Sequence, residues 1–159
     1  MSVDYVQFTG DGLKQTLTAL LGRAVTVKAV PKAPSPTWAV VATYVRPDGA
    51  MQGTCVLDIS AAASIGAALT MIPAPVTVTA VKNKAMPEGL MENLQEVLNV
   101  MARLFQSAAH ERTSLQGVYV TPKAPPPAAA PIFKSPRARL DLEVSVSGYA
   151  PGRVTLYSA

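Results

Sequence analysis

The side chains whose types and spacing could do chemistry lie in one run, Glu88 to Gln106, reading EGLMENLQEVLNVMARLFQ. At the helical period of about 3.6 residues, Glu92, Glu96, Asn99, Arg103 and Gln106 fall at i, i+4, i+7, i+11 and i+14 on one face. Carboxylates, an amide and a guanidinium suit the positioning of another molecule's reacting groups. They do not form a covalent nucleophile with its base. His110 is the sole histidine, which excludes a histidine-rich metal site and leaves one candidate base for a Ser-His-Asp triad. No serine sits in a G-x-S-x-G setting, and GDGLK lacks the spacing of a phosphate-cradling loop. His110 reads as a structural or solvated residue after a helix end, where its charge favours the dipole.

The element that must carry these residues is a helix. Leu90, Leu94, Val97, Leu98, Met101, Leu104 and Phe105 make its opposite, apolar face, and Pro87 with Glu88 starts it. Around it, Asp11 is expected to cap a short helix through Leu21, stopped by Gly22, and residues 24–30 alternate as a strand. Residues 37–58 read as a hairpin turning at Arg46-Pro47-Asp48-Gly49, and Asp58 or Ser60 then caps an alanine-rich helix ended by Pro73. VTVTAVK, residues 76–82, reads as a strand or extended connection, and LQGVYVT as a strand ending at Pro122. Residues 122–137 are proline-rich and expected to be an extended, solvated loop. RARLDLEVSVS and RVTLYSA close the chain as two strands, the first turning Leu140, Leu142, Val144 and Val146 inward. The pattern predicts one α+β domain over residues 1–159, with a mostly antiparallel sheet of about five to seven strands and two or three helices packed on one face.

With 49% hydrophobic and only 15% charged residues, a packed core is expected and general disorder is not. Cys55, the single cysteine, excludes an internal disulfide and reads as a buried, inert thiol. MSVDYVQFTGDG lacks a basic region followed by an apolar run, and Ser60 to Val76 is too short and proline-interrupted for a membrane span. A cytoplasmic protein without membrane contact is the expectation. The net charge of +4 is carried by scattered lysines and arginines without aromatic interleaving, so nucleic-acid binding is not expected.

Glu96-Val97-Leu98-Asn99 is an E-x-x-N, with Glu92 one turn earlier and Pro122 after 22 intervening residues. This resembles the CheC/CheX/FliY family of chemotaxis phosphatases, whose motif is an acidic or serine residue, E-x-x-N, and a proline at that distance. The helix at 11–21 has no second E-x-x-N, so the chain looks most like single-motif CheX. Glu92 stands where the family usually has Asp or Ser, and Arg103 where many members carry a small residue. The resemblance implies hydrolysis of the aspartyl phosphate on a phosphorylated response-regulator receiver domain. Asn99 would position the attacking water and Glu96 would pair with a receiver lysine, with Glu92 and Arg103 as partner-binding residues at the rim. It implies no cofactor of the chain's own, the magnesium belonging to the receiver, and it implies a homodimer. The alternatives are a non-catalytic binding module of the same fold, or an oligomeric scaffold using the helix at 61–72.

Overall fold

The computed structural model describes residues 8–32, 34–106 and 112–159, so the reading of His110 falls outside the described residues. Among them, six strands follow in chain order: β1 (Val25–Ala29), β2 (Ala39–Val45), β3 (Met51–Asp58), β4 (Ser114–Val120), β5 (Ala138–Val146) and β6 (Gly152–Ser158). They form one sheet in the order β1-β5-β6-β3-β2-β4, with every neighbouring pair antiparallel. The helices are α1 (Gly10–Leu21), α2 (Ile59–Leu69), α3 (Ala74–Asn83), α4 (Glu88–Val100) and the short α5 (Ala130–Lys134). The class is α+β with an antiparallel sheet, as the strand periodicity predicts. Helices exceed the expected number by the two segments discussed below.

Strand alternation divides the sheet into two faces. Val40, Ala42, Tyr44, Cys55, Leu57, Leu142, Val144, Val154 and Leu156 join Leu13, Leu17, Ile65, Leu94, Val97, Leu98 and Phe105 in one buried core. Each of α1, α2 and α4 supplies part of the cover on that side. Every residue of α2 from Ala61 to Ala68 is buried, and all of them but Ile65 are small, which lets neighbours close around the helix on all sides. A Cβ built on Gly66 would lie 2.7 Å from the Leu90 carbonyl oxygen, so this glycine sets how closely α2 and α4 approach. Asn93 fastens the same pair, its amide donating to the Gly66 carbonyl at 2.9 Å and the Thr70 hydroxyl at 2.7 Å.

Several local expectations are corrected. The cap of α1 is Thr9, whose hydroxyl accepts from the Gly12 N–H at 3.0 Å, and Asp11 lies inside the first turn, where its charge suits the dipole. Of the two candidates for α2, Asp58 is the cap, accepting from the Ala61 N–H at 2.8 Å. Residues 76–82 are helical within α3. Pro75 sits in its first turn, where a missing N–H costs nothing, and Thr77 and Thr79 return their hydroxyls to the carbonyls of Ala74 and Pro75. Only Thr77 and Ala80 of α3 are buried, against α2, so its Val-Thr alternation does not report alternating burial.

The proline-rich stretch is corrected as well. It is not solvated throughout, because a 3-10 turn over Pro127–Ala129 and α5 seat it on the sheet face opposite α2. Ala129 and Ile132 are buried there, and the Phe133 ring meets Tyr157 edge-on at 5.1 Å. Finally, the helix expected to reach Gln106 ends as an α-helix at Val100 and continues as a 3-10 turn over Met101–Phe105.

Candidate functional site

Helix α4 buries Leu90, Leu94, Val97 and Leu98, and that choice of inner face leaves Glu92, Gln95, Glu96 and Asn99 exposed. Together with Val100 and Leu115 they line an open groove of about 430 Å3. Leu115 comes from β4, where it pairs with Tyr44, and it supplies the wall across from the helix. The side chains of Glu96 and Asn99, one turn apart, make no hydrogen bond or ion pair with another described residue. Both face solvent with their donors and acceptors uncommitted.

The backbone beneath them is held firmly. Tyr44, fully buried in β2, donates its hydroxyl to the Leu98 carbonyl at 2.8 Å. Its ring stacks on Phe105 with centroids 4.3 Å apart and planes 17° from parallel, and Phe8 meets Phe105 edge-on at 5.8 Å. Burial, with a smaller contribution from Cys55, pushes the Tyr44 hydroxyl well above its ordinary pKa, so it remains a donor. Burial raises the Cys55 thiol too, consistent with an inert core residue.

Arg103 is exposed, but it does not share the groove of Glu96 and Asn99. It lines a neighbouring hollow of about 320 Å3 with Gln15, Thr16, Ala19 and Leu20 of α1. Val100, 38% exposed, forms the ridge between the two. The cause is the change of helix type: a 3-10 turn advances about 120° per residue against about 100° in an α-helix, so the expected single polar stripe swings toward α1. Pro122, beyond the end of β4, lines a cavity on the opposite sheet face and does not join the groove. Thus the fold gathers Glu92, Glu96 and Asn99 and sets Arg103 one ridge away. Gln95, Val100 and Leu115 were not singled out from sequence. Val100 was visible as an apolar residue beside the polar stripe, whereas Leu115 arrives only through the pairing of β4 with β2. Among the described residues, no group of three His, Cys, Asp or Glu side chains is placed to hold a metal ion.

No protein-family model matches the sequence, and no curated protein matches it significantly. Solved structures do match the backbone. FliM from H. pylori, in a complex with SpeE, gives a TM-score of 0.65 at 8% identity, covering 94% of this chain and 80% of that one. FliY from Thermotoga maritima gives 0.58 at 18% identity, covering 92% and 82%. CheX from Borrelia burgdorferi, in a complex with CheY, BeF3 and Mg2+, gives 0.53 at 15% identity, covering 90% of each chain. The chain has a CheC/CheX/FliY-like fold. At these identities the likeness is one of architecture, shared by the CheX-like and FliM-like structures alike. No helix among the described residues is long and apolar enough to cross a membrane.

Proposed function

We propose that this chain is a cytoplasmic phosphatase of a receiver domain's aspartyl phosphate, acting through Glu96 and Asn99. The observation that carries the reading is the pair's placement: two side chains one helical turn apart, exposed in an open groove and bonded to nothing else described. In the reaction a water oxygen bonds to phosphorus while the bond from phosphorus to the aspartyl oxygen breaks. The products are the aspartate carboxylate and inorganic phosphate, which takes up both of the water's protons as dihydrogen phosphate. Such transfers pass through a loose transition state, so holding the water in line matters more than deprotonating it. Asn99 can accept from the water with its carbonyl oxygen and donate to a phosphoryl oxygen with its amide. Glu96 offers a carboxylate to a receiver lysine and so fixes the docking register. The resident magnesium of such a receiver stays with the receiver. Glu92 and Arg103 contact the docked partner at the rim, and the chain acts as a homodimer.

A second reading, a docking module without catalysis, draws support from the higher TM-score to FliM than to CheX and from the large Arg103 beside the groove. One experiment separates the two. The protein is mixed with a magnesium-bound phosphorylated receiver, and release of inorganic phosphate is followed alongside binding of the receiver carrying beryllofluoride as a phosphoryl mimic. Phosphatase action predicts accelerated release that drops about a hundredfold in Asn99→Ala while binding persists. Binding with release at background would establish the docking module. Neither binding nor acceleration would remove both readings.

A further inference from the structure

The sheet face turned away from α2 and α4 carries a channel that the proposed phosphatase site does not use. Two adjoining cavities there, of about 300 and 340 Å3, have Ser35, Pro36 and Val56 in common, and together they make up the channel. From Arg139 on β5 the channel passes β6, β3 and β2 to Thr121 at the end of β4. Five strands at ~4.8 Å apart make about 19 Å, the length of about six residues of extended chain. Its floor includes Val41, Val56 and Tyr157, and prolines stand along it, Pro34 and Pro36 at one part and Pro122 and Pro125 at another.

Charge in the channel is unbalanced in one direction. Asp58 is committed to the Ala61 N–H, and Asp141 accepts from both Nε and Nη2 of Arg139, at 3.0 and 3.1 Å, and from the Thr155 hydroxyl at 3.2 Å. Asp141 and Arg139 therefore offset one another, the guanidinium resting 5.0 Å over the Tyr157 ring, and Asp58 keeps one negative charge in the channel. Arg153 at one end and Lys123 at the other line the channel, and neither side chain has a partner among the described residues.

We propose that this channel docks an extended acidic segment of a partner polypeptide. Its carboxylates meet Arg153 and Lys123, and apolar side chains between them settle on Val41, Val56 and the proline walls. An occupant lying across the strands finds the sheet's N–H and C=O groups already paired between neighbours, so recognition runs through side chains. Two uncommitted cations over an apolar floor suit a peptide better than a nucleic acid, whose backbone brings a charge at every nucleotide.

The test uses a fluorescent peptide of about eight residues alternating Glu and Val, its Lys-Val counterpart, and a single-stranded oligonucleotide of equal length, read by anisotropy. The Glu-Val peptide is expected to bind, to weaken with added salt, and to lose about tenfold or more in affinity in the Arg153→Glu/Lys123→Glu double variant. A Lys14→Glu/Lys82→Glu control on the helix side is expected to bind as the parent does, and thermal unfolding checks that both variants are folded. The proposal is overturned by absence of binding, by equal loss in the control, or by tighter binding of the oligonucleotide.

Discussion

Tyr44 and Leu98 are joined by a buried hydrogen bond, hydroxyl to carbonyl at 2.8 Å, one residue before Asn99. The carbonyl lies at the C-terminal end of α4, where the change to a 3-10 turn disturbs the regular ladder, and the tyrosine satisfies it from the sheet. Removing the donor takes a hydrogen bond away from that buried oxygen. Tyr44→Phe is expected to lose about 1–3 kcal/mol of stability in urea unfolding. If the phosphatase reading holds, phosphate release should fall in this variant more than receiver binding does, because the backbone beneath Asn99 loses its tether.

Alkaline pH should unfold the protein early. Burial raises the Cys55 and Tyr44 pKa values above ordinary values of 9.0 and 10.0, so each group ionises first in the unfolded chain. Stability is thus fully present below about pH 9 and declines above it, Cys55 contributing first and Tyr44 second, each by up to about 1.4 kcal/mol per pH unit. Denaturant midpoints measured from pH 7 to 11 check this. Cys55→Ala should lose the first part of the decline and keep the second.

Two glycines in neighbouring helices should respond oppositely to alanine. At Gly66 the added methyl meets the Leu90 carbonyl oxygen at 2.7 Å, and a backbone atom between two packed helices cannot step aside cheaply. An overpacking cost of about 1–3 kcal/mol exceeds the gain of up to about 1 kcal/mol in helix propensity, so Gly66→Ala is expected to destabilise. Gly89, in the first turn of α4, has nothing within 4 Å of its Cβ position, and Gly89→Ala should stabilise by about 0.4–1 kcal/mol. Urea midpoints of the two variants decide the sign.

Arg103 and Asn99 should separate kinetically, since Val100 stands between them. Arg103→Glu is expected to slow receiver association and to change its salt dependence, leaving the saturated rate of phosphate release within about twofold. Asn99→Ala should do the reverse. Stopped-flow association at two ionic strengths and single-turnover release distinguish them.

Much of this architecture was legible in the residues. The apolar stripe of α4, the Pro-Asp-Gly turn between β2 and β3, and the alternation of β5 each carry a strong local period. Reading failed where tertiary context outweighed propensity. Val76, Thr77, Val78 and Thr79 have strand composition, yet no sheet edge receives them and α2 offers a helical berth. The prolines of 122–137 imply extension, but Ile132 and Phe133 supplied enough apolar surface to seat the segment on the sheet. For the candidate site, spacing placed Glu96 and Asn99 on one polar face with Glu92, Arg103 and Gln106, and the resemblance of the E-x-x-N singled out the pair. The displacement of Arg103 was not, because sequence periodicity assumes one helix type and the chain changes type at Met101.

The asymmetry of the sheet, with α2 and α4 behind it and in front a channel flanked by α5, has a consequence for assembly. A guest on the outer face of α4 and a guest on the far face of the sheet would be kept apart by the helix layer and the sheet, and would not compete for space. A single partner long enough to reach both sides would bind the second site as an intramolecular event, so two modest affinities would combine into one durable grip, whereas two separate partners would each keep their own affinity.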